Sequence, residues 1–288
     1  MFDSHVHYSH CRFDQTFRYL DYVSGTYEIR QGTREDLISG IREAGVTGVV
    51  EPAIQFETNA RVLALAKSYP GFVHPSVGLH PEYVLSATPK SRGDLCRYAD
   101  IEGVIAIGET GLDFHRSRAD QHRVRQRSWF RFLIRLAHKK RLPLILHIRA
   151  AYTQAIRMLK RRRTLLDNGG VVHCFNADAA TADELLALGF CFGIGGALLK
   201  EEPDSATLTE AVRRIPLDRI LLETDAPYVL PYLPDLISSK QSKKICNSST
   251  VIRAVAERIA QIKGLDVQTV LEQTEENARA LFRLQNSQ

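Results

Sequence analysis

The sequence predicts a (β/α)8 barrel with an insertion after strand one and an extra C-terminal helix. Three observations carry that reading. Eight short apolar runs alternate with amphipathic helical patterns along nearly the whole chain, which is the pattern of repeated βα units. Several runs, such as Leu142-Pro143-Leu144-Ile145-Leu146 and Ile220-Leu221-Leu222, are almost continuously apolar, as strands buried on both faces should be. No Gly-x-Gly-x-x-Gly follows any strand, which argues against the open doubly wound sheet.

In chain order, strands are expected at 2–7, 46–53, 72–79, 103–109, 142–148, 170–175, 190–195 and 219–225. Helical patterns fall between them, at 34–44, 58–68, 121–140, 152–163 and 207–214 among others, and the segments 250–263 and 266–284 close the chain. With 288 residues, 44% of them hydrophobic, the length suits one barrel domain over 1–288. Residues 8–33 are too long for an ordinary βα loop. They are expected to form a lid over the barrel mouth, with Tyr8, Phe13, Phe17, Tyr19, Tyr22 and Tyr27 available to stack on bases.

The five scattered cysteines contain no C-x-x-C pair, which favours reduced thiols and argues against a zinc finger. No apolar run approaches the ~18 residues of a membrane span. A motif-bearing segment starting at residue 2 leaves no room for a signal peptide, so a cytoplasmic protein is expected, with no membrane or obligate protein partner. The net charge of +5 favours an anionic partner through steering alone.

His5 and His7 are spaced to project from one face of a strand. Glu109, His147, His173 and Asp225 sit at the ends of the strands four, five, six and eight predicted here. Taken singly, each has an ordinary explanation: His147 as a hydrogen-bonded core residue, Asp225 as a turn cap before Pro227. Together they occupy the layer where barrels of this kind keep their active sites. Four imidazoles and two carboxylates exceed the needs of one ion and suit two divalent ions bridged by a carboxylate. Imidazole-rich ligation favours zinc or manganese over magnesium.

The motifs Asp3-Ser4-His5-Val6-His7, Gly78-Leu79-His80-Pro81, Gly108-Glu109-Thr110-Gly111-Leu112-Asp113, Leu146-His147-Ile148-Arg149, Val172-His173-Cys174-Phe175 and Leu222-Glu223-Thr224-Asp225-Ala226-Pro227-Tyr228 make the chain resemble the TatD family of metal-dependent deoxyribonucleases. Glu276-Asn277-Ala278-Arg279-Ala280-Leu281-Phe282 is similar to the family's ending. The resemblance implies that His5, His7 and Asp225 hold one ion and His147 and His173 the other, with Glu109 bridging. It implies a plain carboxylate where many related barrels carry a carbamylated lysine. It implies Glu109 and Asp225 as catalytic, Asp225 also accepting a proton from the attacking water. His80, Arg149 and Asn247 would contact substrate, and Glu223, facing the same way as Asp225 one layer deeper, would orient the ligands without binding an ion. The sequence departs from the family twice: at the 8–33 insertion, and at Asn247-Ser248-Ser249, where Asn-Glu-Pro is usual and the serines read as helix caps.

Two basic features read as solvated faces. One is the stripe Arg123, Arg127, Arg131, Arg135 and Lys139; the other is the run Lys160-Arg161-Arg162-Arg163, expected to close its helix. Arg116, Arg118, Lys200, Lys243 and Lys244, on predicted rim loops, are the better candidates for phosphate. The function expected is two-metal hydrolysis of nucleic-acid phosphodiesters, trimming single-stranded DNA ends. Hydrolysis of another ester, lactone or amide is the alternative, and a metal-free nucleic-acid-binding protein a weaker one.

Overall fold

A computed structural model describes residues 1–115, 119–201, 203, 205–237 and 244–285. Its strands are β1 (Phe2–Asp3), β2 (Phe17–Val23), β3 (Thr26–Gly32), β4 (Gly48–Pro52), β5 (Val73–Val77), β6 (Ala106–Asp113), β7 (Leu144–Arg149), β8 (Gly170–His173), β9 (Phe190–Ile194), β10 (Ile220–Leu222) and β11 (Ile245–Cys246). Its helices are α1 (Arg34–Glu43), α2 (Thr58–Ser68), α3 (Ser91–Tyr98), α4 (Asp120–Lys140), α5 (Tyr152–Lys160), α6 (Ala179–Leu186), α7 (Ala206–Arg214), α8 (Ile252–Lys263) and α9 (Val267–Phe282). Eight strands follow one another as β1-β4-β5-β6-β7-β8-β9-β10, the order of a (β/α)8 barrel. All eight expected strands are present. Helix α5 ends at Lys160 with Arg161 as its C-cap, so the basic run does close the helix, three residues earlier than the expected end at 163.

By contact density the chain forms two compact units: residues 1–49, 174–179 and 193–278, and residues 50–173, 180–192 and 279–288. In the first, the expected lid is a β-hairpin. Strands β2 and β3 pair antiparallel from Phe17↔Gly32 to Val23↔Thr26, and β11 adds a parallel edge. The loop is two residues, Ser24 and Gly25, both at positive φ (51° and 86°), the conformation that matches the twist of tight hairpins. The Ser-Gly pair was the signal for this turn in the sequence.

The aromatic rings of the insertion do not face solvent. Tyr8, Phe13, Phe17, Tyr19 and Tyr22 are buried, and Tyr27 packs against the cluster of Leu20, Tyr22, Ile237, Ile245, Val251 and Ala254. Edge-to-face contacts run from Tyr8 to Phe13 and from Phe13 to Phe17. Burial of large rings outweighs their use as an exposed stacking platform. These rings are core, which corrects the base-stacking expectation.

The two serines are not helix caps either. Ser248 Oγ donates to the Leu20 carbonyl at 2.6 Å, and Thr250 Oγ1 accepts from the Tyr22 N–H at 2.9 Å. Ser249 Oγ lies 2.7 Å from the Tyr8 hydroxyl, which also accepts from the Ser249 N–H. The two departures from the family pattern are therefore one structure. The hairpin's buried backbone is satisfied by hydroxyls from residues 248–250. Thr33 then starts α1 with a reciprocal capping box to Asp36.

In the second unit, two buried amides clamp strand ends. Asn59 of α2 accepts from the Gly78 N–H at 3.0 Å and donates to its carbonyl at 3.1 Å, just ahead of His80. Gln126 of α4 does the same to Asp113, at 3.0 Å for both bonds. The buried side of α4 is Trp129, Leu133 and Leu136, as the pattern predicts. Among the described residues, no helix is long and apolar enough to cross a membrane.

Two predictions follow from this packing. Asn59→Ala leaves a buried N–H and C=O at Gly78 without partners and should cost about 2–4 kcal/mol in urea unfolding. A cost below ~1 kcal/mol would show that the clamp is dispensable. The second concerns His74 on β5, whose pKa is pushed down to about 4 by burial and by Arg279. The folded state thus disfavours the proton that the unfolded chain takes up below ~6.5. Stability attributable to His74 should fall as pH drops from 6.5 towards 4, by on the order of 3 kcal/mol. Unfolding of His74→Gln across that range should lose this component of the slope.

Candidate metal centre

In the first unit, β1 ends at Asp3, so His5 and His7 lie just beyond the strand and not within it as expected. The extended course persists because Val6 bridges Ala226 and the His7 N–H donates to the Ala226 carbonyl at 2.6 Å. Alternation therefore still points both imidazoles the same way. His5 Nε2 and His7 Nε2 are 3.2 Å apart, and Asp225 Oδ1 lies 3.9 and 3.3 Å from them. One imidazole can donate to the other at this distance, and with Asp225 Oδ1 beside them the same three atoms could instead be shared by a cation.

Asp225 is placed by backbone strain as well as by sequence. Its φ is +56°, a region costly for a side-chain-bearing residue, and its N–H donates to the His5 carbonyl at 2.9 Å. Asp3 ties the two segments together. Its carboxylate accepts from the His5 N–H (3.2 Å), the Thr224 N–H (3.1 Å) and the Thr224 hydroxyl (2.6 Å). Burial pushes the Asp3 pKa up to about 7 against these hydrogen bonds. Glu223 is fully buried, and its Oε1 accepts from the Cys174 N–H at 2.5 Å. Gly193 makes room for it, since a Cβ there would collide with the Glu223 carboxylate.

In the second unit, Glu109 is the hub. It is 2% exposed, and its Oε1 lies 3.0 Å from His147 Nδ1, 3.3 Å from His173 Nε2 and 3.6 Å from His80 Nε2. Burial opposes its charge, but the imidazoles of His173 and His80 and the hydrogen bonds from His147 and His173 outweigh it. They hold the carboxyl well below the usual range. His147 also reaches Asp113 Oδ2 through Nε2 at 3.3 Å. Burial disfavours its cation, yet the Asp113 and Glu109 hydrogen bonds raise its pKa. A divalent ion can take the place of such a shared proton.

His80 differs from the other imidazoles. Its Nδ1 accepts from the Glu82 N–H at 3.2 Å, so in the neutral ring Nε2 carries the proton. Burial and the neighbouring His147 push its pKa down to about 3, and the ring stays neutral. It presents an N–H donor to the cluster, which no cation can use as a ligand.

Among the described residues, groups such as His80, Glu109 and His147 have ligand atoms close enough to share an ion. The tautomer argument favours His173 over His80 in that role. Arg149 ends β7 exposed, beside Asp113 in register. Asn247 is fully buried. Its amide donates to the carbonyls of Thr224 (3.1 Å) and Val229 (3.2 Å), and its oxygen accepts from the Ser248 N–H (3.0 Å). That side chain shapes the segment around Asp225.

Sequence reasoning gave no role to Asp3, Thr224 or Asp113. The spacing of Glu109 and Asp113, four apart on one strand, was the available signal for the last. Of the proposed rim cations, Lys200 and Lys244 are exposed, while Arg116, Arg118 and Lys243 lie outside the described residues.

The chain is 33% identical over 251 residues to the 3'-5' ssDNA/RNA exonuclease TatD of Erwinia amylovora, covering 87% of this chain and 94% of that one. It is 34% identical over 237 residues to the uncharacterized metal-dependent hydrolase YcfH of Escherichia coli, covering 78% and 84%. The crystal structure of YJJV, a TatD homolog from E. coli, superposes with a TM-score of 0.83 at 26% identity, covering 99% of this chain and 98% of that one. A family model described as TatD related DNase matches residues 2–283, and the chain belongs to that family.

Proposed function

We propose that this protein is a two-metal phosphodiesterase acting on nucleic acid, a deoxyribonuclease that trims single-stranded ends, working as one domain in the cytoplasm. The observation that carries the reading is the pair of buried donor clusters. His5, His7 and Asp225 converge in one, and Glu109 gathers three imidazoles in the other. Their chemistry fits divalent ions, with zinc and manganese suited best and magnesium least. His5, His7 and Asp225 would hold one ion and His147 and His173 a second, with Glu109 shared. When bound, the ions supply a low-pKa water and neutralise charge on the phosphate.

The chain's own groups do the rest. Asp225 accepts the proton of the attacking water, its backbone held at positive φ and by the bond from its N–H to the His5 carbonyl. His80 offers its Nε2–H to a phosphate oxygen, a neutral donor that needs no change of charge during turnover. Exposed Arg149 neutralises the same group from the rim. Asp3 and Asn247 keep Asp225 aligned without touching substrate. The nuclease name carried by the Erwinia relative supports a single-stranded substrate.

Elemental analysis of the saturated protein should find about two divalent ions per chain. Glu109→Ala should lose at least one of them and lower turnover of end-labelled single-stranded DNA by about 10³-fold or more, with the circular dichroism spectrum unchanged. No more than one ion in the unaltered protein, or near-normal turnover in the variant, would refute the shared carboxylate. Equal cleavage of duplex and single-stranded DNA would refute the substrate assignment.

A further inference from the structure

We propose that the insertion hairpin builds a second phosphate-binding site, which grips the backbone of the substrate strand away from the scissile bond. The inference rests on the nucleic-acid reading above and extends it to residues outside the two donor clusters. Between the short helix Cys11–Phe13, β2, β3 and β11 lies a cavity of about 390 Å³ whose lining includes Arg12, Arg18, Lys244, Thr16 and Gln31. All five side chains are exposed. On β2, Arg18 alternates with the buried Phe17 and Tyr19, so the hairpin's core-facing register is what turns this guanidinium outward. Gln31 is its partner across the hairpin, and Ile245 its partner on the other side, which brings Lys244 to the same edge.

Three cations share one polar recess, and among the described residues none of them is paired with a carboxylate. Arg127, Arg131 and Arg135 of α4 also lack a carboxylate partner among the described residues. What sets the recess apart is that its cations line one cavity together with Thr16 and Gln31, while other surface cations are paired. Lys160 meets Glu184, Arg253 meets Glu257, and Arg30 meets Asp21. Uncompensated like charges in a concave surface cost stability through mutual repulsion and are relieved by an anion. Guanidinium pairs with hydroxyl and amide neighbours match phosphate oxygens in number and geometry.

The recess is also directed. The Arg12 guanidinium lies over the Tyr228 ring at 5.9 Å, and the same ring meets His7 edge-on at 6.0 Å between centroids. Tyr228 thus spans from the His5–His7–Asp225 cluster to the basic recess, a distance that a short stretch of unstacked strand can cover. Because the site reads phosphate and no base edge, it should favour length over sequence. It should distinguish an oligonucleotide from a mononucleotide diester.

The test is binding of a fluorescein-labelled oligothymidylate by anisotropy, with chelator present so that cleavage plays no part. Arg12→Ala/Arg18→Ala should bind at least tenfold more weakly at low salt and lower the salt slope by about 1.4, two single-strand contacts at ~0.7 each. Lys244→Ala should lower it further, and Arg12→Lys/Arg18→Lys should recover most of the affinity. Arg131→Ala/Arg135→Ala, with the same change in net charge on α4, is the control and should bind as the unaltered protein does. Melting curves identify any variant that fails to fold, and Arg18→Glu alone then replaces the double variant. Equal weakening by both alanine pairs would reduce the effect to net charge and overturn the site. So would undiminished binding by the Arg12/Arg18 pair. If the recess binds as described but the metal-loaded protein leaves DNA intact, the phosphate site stands and the nuclease reading falls.

Discussion

A buried negative charge organises this molecule. Glu109 sits with almost no exposure, where an isolated carboxylate would lose several kcal/mol of solvation. Three imidazoles surround it, each delivered by a different strand or loop. Each of those must in turn be held. Asn59 fixes the backbone before His80, Gln126 fixes Asp113, and Asp113 steadies the far nitrogen of His147. Asp3 plays the corresponding part for the other cluster, drawing the His5 and Thr224 amides onto one carboxylate. Both clusters bring buried carboxylate and imidazole atoms within reach of one another, the donor arrangement that the proposed ions would use.

Much of this was legible in the chain because strand periodicity is simple. Eight apolar runs gave eight strands, and within each unit the polar residues in or just after them lie close together. The alternation argument for His5 and His7 succeeded for a different reason than expected, since a single bridge at Val6 preserves the extended path after β1 has ended. Less legible were the residues that act through others. Asp3, Thr224 and Asp113 look like ordinary motif members until the distances are known. A bidentate amide such as Asn59 is indistinguishable in sequence from a solvated one. His80 could be placed at the site from its motif, but its role depends on a tautomer fixed by the Glu82 N–H, and no one-dimensional pattern encodes that.

The insertion was the hardest segment to read, because aromatic side chains on a loop admit opposite interpretations. An exposed ring is a stacking surface and a buried one is core, and the same residues serve either. Here the Ser24-Gly25 turn decides the matter by closing a regular hairpin, whose alternation sends Phe17 and Tyr19 inward and Arg18 outward. The hairpin contributes charge to the surface and apolar mass to its own unit.

That hairpin has a consequence for how such a segment can be inherited. Its inner strand spends a carbonyl at Leu20 and an N–H at Tyr22 on Ser248 and Thr250, more than two hundred positions away. Ser248 and Thr250 also bond each other at 2.9 Å, and the Tyr22 N–H also reaches Asp21 Oδ1 at 3.1 Å, so each side keeps part of its bonding alone. Replacing Ser248 would still take this donor from the Leu20 carbonyl, and losing the hairpin would take both hydroxyls' strand partners. The two stretches are thus physically coupled, and a change in one is felt by the other. A graft of the hairpin onto a relative's barrel would keep these bonds only by carrying residues 248–250 with it.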